Sequence, residues 1–192
     1  MKIAWMLVTA MCVAAMTAGG CGDAQNKRTQ SAAVTAKSRS AFPAALAGRW
    51  RSDRHGWEFV IEPDGRISSA VISLGRVTVL AGQTTTAATK EGGQATFTPG
   101  PWTVDYDAAT QMLVVKIVMT HVRVPMGPSI LEGSSTDVFT GPVAPTSDTW
   151  QAQWTAFTDY KAQTGENKSI DLSTDKTYGD AQTLVFTKTA ER

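Results

Sequence analysis

The sequence predicts an all-β domain, a single antiparallel β-barrel of about 8–10 strands, with a β-sandwich as the alternative closure. Three observations carry this expectation. Apolar residues recur with a period of two over much of the chain after residue 48. Gly and Pro turn signals punctuate the same region at short intervals, as they do between short strands. Threonine, a β-branched residue suited to a pleated surface, recurs throughout. A set of short strands must remove its edges, which a closed barrel or a pair of stacked sheets achieves.

In chain order, WEFVIE places Trp57, Phe59 and Ile61 on one face and Glu58 and Glu62 on the other, a half-buried strand. PDG at 63–65 is a tight turn, with Pro fixing its own φ and Gly supplying a positive one. RISSAVISL and RVTVL follow as strands around Gly75, and EGG at 91–93 turns the chain before QATFT. PGP at 99–101 precedes WTVDY, and DAAT leads into QMLVVKIVMTHVRV, the longest strand, expected to be buried on both sides. VPMGPSILEG has no strand pattern and reads as a loop bearing Met126, Ile130 and Leu131, either a lid over a mouth or a fold back onto the barrel. TDVFTG and QTLVFTK complete the strands. The segment 149–164 reads two ways. Trp150, Ala152, Trp154 and Ala156 alternate with Gln and Thr as in a strand, while Trp150, Trp154 and Phe157 also fall at helical spacing between Asp148 and Gly165. Its threonines and the preceding loop favour the strand.

The chain divides into three parts. Residues 1–20 open with Met1-Lys2 and continue through an apolar run, Ile3 to Ala18, too short for the roughly 20 residues of a membrane-spanning helix but suited to a signal peptide. Residues 21–47, rich in Ala, Ser and Thr, cannot bury enough apolar surface to order themselves and read as a flexible tether. Residues 48–192 form one domain, long enough to bury roughly two-thirds of its unfolded surface. The whole chain carries 18 basic and 17 acidic residues, and loss of Lys2 with the leader leaves it formally neutral. The basic surplus lies in the tether and the acidic surplus in the domain. That distribution argues against nucleic acid as a partner, since phosphate binding needs basic density.

Small residues Ala18-Gly19-Gly20 precede Cys21, and AGGC resembles a bacterial lipobox, with Ala18 at the position where Leu is usual. The resemblance implies a thioether-linked diacylglyceryl group on Cys21 and removal of the leader before it. Two or three acyl chains then hold the protein stably to a membrane. Gly22, in place of an inner-membrane retention Asp, implies the outer membrane, facing the periplasm. The alternative is a plain secreted protein with an incidental cysteine. Cys12, after the bulky Met11, reads as part of the discarded apolar segment.

ALAGRW, with Gly48-x-Trp50 opening the first strand, resembles the G-x-W opening of lipocalins and related calycin barrels. In that family the tryptophan plugs the closed end of the barrel and a basic residue from a late strand packs over its ring. Residues 132–148, where that partner is expected, contain no Arg or Lys, and Lys188 is a late substitute.

Chemistry-bearing residues are sparse. Two histidines, His55 and His121, are too few for a three-His zinc site, and no ligand spacing is present, so no metal and no cofactor is expected. Asp105 and Asp107 share a strand face, with a turn-capping role for Asp107 weighed above acid–base chemistry. No nucleophile motif occurs, and no catalytic residue is assigned. The remaining signal is aromatic. Trp57, Phe59, Met119, His121, Trp150 and Trp154 are the candidate pocket residues, because a barrel interior that is not completely filled becomes a ligand cavity. His121 and Arg123 share parity with Leu113, Val115, Ile117 and Met119, which places them inside near one end, unless the strand is leaving the core there. Trp102, beside PGP, is either a sugar-stacking surface or a rim residue covering the barrel end. The expected function is a membrane-anchored lipoprotein of the envelope, not an enzyme, that binds a small apolar or amphipathic ligand. The alternative is a structural or interaction lipoprotein with a filled core.

Overall fold

A computed structural model describes residues 42–72, 77–164, 169–171 and 181–189. Its strands are β1 (Gly48–Ser52), β2 (Glu58–Ile61), β3 (Ile67–Ile72), β4 (Val77–Leu80), β5 (Thr85–Ala88), β6 (Gln94–Pro99), β7 (Thr103–Asp107), β8 (Met112–Met126), β9 (Ser129–Pro142), β10 (Thr149–Gln163), β11 (Ser169–Asp171) and β12 (Gln182–Thr189). Ten of them follow one another in the order β4-β3-β2-β1-β12-β10-β9-β8-β6-β5, with β7 added on β8 and β11 on β10. The ladders β1–β12, β10–β12, β9–β10 and β8–β9 are all antiparallel. β4 and β5, at the two ends of this order, come into contact, so the sheet curls almost shut. The domain is an all-β barrel, as its period-two pattern requires.

The turns obey their local chemistry. Gly65 has φ +81° and the Phe42 ring lies where its Cβ would stand, so PDG needs glycine twice over. The Asp107 carboxylate accepts a hydrogen bond from the Ala109 amide at 2.9 Å, which caps the turn. β6 and β7 lie along β8 one after the other, β6 beside Met119–Arg123 and β7 beside Met112–Lys116. They form one line broken at Pro99-Gly100-Pro101, where two prolines cannot donate to the ladder.

Three expectations change. β8 alternates between buried Leu113, Val115, Ile117 and Met119 and outer residues such as exposed Lys116 and Thr120, so it is buried on one face only. The segment 129–132 is not a lid loop. β8 and β9 are a continuous hairpin with its tip at Gly127-Pro128, and Ile130 and Leu131 pair with both Pro125–Val124 and Gln163–Ala162. The domain also starts before Gly48. Residues 44–46 form a 3-10 turn, Leu46 is fully buried and Phe42 packs against the core. The segment 149–163, open between helix and strand, is the strand β10, paired with β9, β11 and β12.

Candidate functional site

One end of the barrel is plugged. The Trp50 ring is fully buried, and its Nε1 donates to the Leu46 carbonyl at 2.9 Å. Lys188, on β12, places Nζ 5.7 Å from the Trp50 ring centroid, donates to the Ala45 carbonyl at 2.7 Å and pairs with Asp148 at 3.3 Å. Lys188 therefore lies over the Trp50 ring as a cation over an aromatic face. Gly48 lets it pass: φ is +132°, and a Cβ there would meet the Lys188 stem at 3.2 Å. Beside this plug lies an open polar groove of about 620 Å³ that includes Glu62, Asp148 and Lys188.

The interior next to the plug is filled with rings. Phe59, fully buried, lies 5.0 Å from Phe186, 5.8 Å from Phe139 and 6.3 Å from Trp150, centroid to centroid. Trp150 is buried and donates its Nε1 to the Gly141 carbonyl. Trp57 stands edge-on to Phe139 at 5.1 Å and Met119 is buried beyond them. Four of the six candidate pocket residues, Trp57, Phe59, Met119 and Trp150, thus pack as core. Aromatic pairs in these offset and edge-to-face arrangements contribute about 0.5–1.5 kcal/mol each beyond their area.

His121 does not join them. β8 carries a register shift between Met119 and Val122, so the parity shared with Met119 ends there and Val122 becomes the inward residue. The imidazole is 43% exposed and lies 3.6 Å from Glu132 on the outer face. The sequence alternative, a strand leaving the core, is the one the bulge produces. Trp102 is half-buried, donating its Nε1 to the Val118 carbonyl and packing against the core, the rim role rather than an open stacking surface.

Trp154 is the boundary residue. It stacks on Phe139 at 6.4 Å on one side and carries His55 at 5.0 Å on another. His55, held at φ +60° in the β1–β2 turn, has its Nε2 hydrogen-bonded to Gln182 at 2.8 Å. The Trp154 Nε1 donates to Oδ1 of Asp137 at 2.9 Å. Asp137 is only 7% exposed, on the inner face of β9 between Ile117 and Ala156 of the neighbouring strands. Burial pushes its carboxyl up to about 7, against the opposing pull of the Trp154 hydrogen bond. Above it, Ser135 and Tyr160 are half-buried and hydrogen-bonded to each other, and burial raises the Tyr160 phenol as well. Asp137 was not singled out among the candidate residues, although one signal was present: in TDVFTG it shares parity with Phe139, so a strand that buries Phe139 also points Asp137 inward.

Among the described residues no group of three or more His, Cys, Asp and Glu side chains could hold a metal ion. Cys21 and the leader lie outside the described residues. No protein-family model, curated protein or solved structure matches the chain.

Proposed function

We propose that this chain is an envelope lipoprotein, anchored through acyl chains on Cys21, whose barrel binds a small amphipathic molecule at the end opposite the Trp50 plug. The observation that carries the reading is the buried Asp137 carboxyl on the inner wall, at the level where the interior passes from buried to half-buried residues. A charged carboxylate held in such a place with one hydrogen bond costs stability unless it is also paired with a cation. Below Asp137 the interior is packed with rings, so the proposed site is the upper wall and not the aromatic half. Leu131, Val124 and the Tyr160 ring, all half-buried, form that wall on β9, β8 and β10. The reading is of a binding protein and not of an enzyme.

The test is fluorescence titration of the full-length protein with N-phenyl-1-naphthylamine, a neutral apolar dye. Saturable quenching of tryptophan emission that Trp154→Phe abolishes is the expected result. A specific observation favours a second reading: the tight cluster of Phe59, Phe139, Trp150 and Phe186 supports a filled structural or interaction domain. Titration with no saturable component in the wild type selects that reading. The anchor is tested separately, by mass spectrometry of the protein from native membranes, where an unmodified Cys21 removes it.

A further inference from the structure

The chemistry of the ligand follows from what surrounds Asp137. Its carboxyl is nearly sealed from water and has Trp154 Nε1 as its hydrogen-bond donor. The ion pairs of Arg49, Arg54, Arg66 and Lys188 are with Glu58, Asp53, Asp64 and Asp148. The groups that face it from the packed elements are neutral or apolar. β8 supplies Ile117 and Met119, β10 supplies Ala156 and the Tyr160 phenol, and β9 supplies Ser135 and Phe139. His55 reaches it only through the Trp154 ring. An ionised carboxylate in such surroundings needs a cation, and buried carboxylates normally have one. The neighbouring rings of Trp154 and Tyr160 present faces that attract cations as well.

Resting on the reading of this end as a binding mouth, we propose that Asp137 receives the ammonium group of an amphiphilic amine whose apolar part lies along Val124, Leu131 and Tyr160. A primary ammonium has three donors and fits a carboxylate with acceptor capacity beyond the Trp154 bond. The apolar part finds the upper wall, where Val124 and Leu131 pair directly across β8 and β9. Gly133, paired with Tyr160, leaves the wall without a side chain at that step, and the Tyr160 ring lies against it. Alcohols of the same size reach the wall but do not neutralise the carboxylate, and fatty acids bring a second negative charge beside it.

The experiment compares hexylammonium, 1-hexanol and hexanoate, three probes of one length, against the full-length protein in lipid nanodiscs, read by tryptophan fluorescence and calorimetry. At pH 8.5 hexylammonium is expected to bind at least about tenfold more tightly than 1-hexanol, as a charge-assisted hydrogen bond in a dry site provides. Asp137→Asn keeps the acceptor for Trp154 and removes the charge, so it is expected to bring the amine within about twofold of the alcohol. The wild type alone gives an independent arm that does not depend on how the variant folds. The amine stays charged from pH 5.5 to 8.5, so its affinity is expected to fall toward pH 5.5 as Asp137 protonates, while 1-hexanol binding stays level. Equal binding of all three probes, or preference for hexanoate, overturns the amine assignment and leaves the mouth intact. If none of the three perturbs the tryptophan emission, both the assignment and the mouth are overturned.

Discussion

Asp137 sets the electrostatic character of the barrel interior, and its titration has a consequence for stability. Its folded carboxyl titrates near 7, above the unfolded value of 3.8, because burial disfavours the charged form. Below about pH 3 both states are protonated and the residue is neutral to folding. Between those values the unfolded state loses its proton first, so stability falls as pH rises, and the loss is complete above 7. Asp137→Asn removes this slope. The variant is therefore expected to match the wild type near pH 3 and to exceed it at pH 8 by a few kcal/mol on the scale of roughly 1.4 kcal/mol for each pH unit. Urea denaturation at the two pH values checks it, and equal stability of wild type and variant at pH 8 contradicts it. By the same sign, the proposed cationic ligand would recover what the ionised carboxylate costs.

β8, β9 and β10, with 15, 14 and 15 residues, are the longest strands, and one glycine lets two of them lie together. A Cβ on Gly133 would stand 1.8 Å from the Asp159 carbonyl oxygen and 2.8 Å from the Tyr160 ring, so a side chain there forces β9 and β10 apart. Gly133→Ala is expected to cost about 2–3 kcal/mol by thermal or urea unfolding, as overpacking of a fitted site does. Gly92 has φ +85° but open space around its Cβ position, and its Ala variant is expected to cost only about 1 kcal/mol of backbone strain. A comparable cost at the two positions would mean that conformation and not close approach explains Gly133. This length was only partly legible in the sequence. Alternation marked Trp150, Ala152, Trp154 and Ala156 correctly, because one face of β10 meets the core. Alternation failed for 129–135, because every residue there is half-buried and no polar-out, apolar-in contrast exists to be read. It failed again at His121, since one extra residue in β8 inverts parity without leaving any mark in composition.

Across the whole barrel, fully buried rings cluster around Phe59 and Phe139, while residues 129–136 of β9 are all half-buried. The G-x-W signature and the five aromatic residues of that cluster were visible as residue types. That they pack together, and that the polar element is a lone aspartate in TDVFTG, became visible only once ring contacts and strand facing were known. This difference predicts where stability resides. Phe59 touches Phe139, Trp150 and Phe186, and no neighbour can move into the space its ring leaves, since each is held by other rings or by Nε1 bonds such as Trp150 to Gly141. Phe59→Ala is accordingly expected to cost about 3–5 kcal/mol, the transfer of a phenyl group plus an unrelaxed cavity. Val124, half-buried on the upper wall, has solvent on one side of it, so Val124→Ala creates no closed cavity and is expected to cost less than about 1 kcal/mol. Chemical denaturation of the two variants checks the contrast. If Val124→Ala costs as much as Phe59→Ala, the upper wall is as tightly packed as the plugged end, and a molecule lying along it would have no space to occupy.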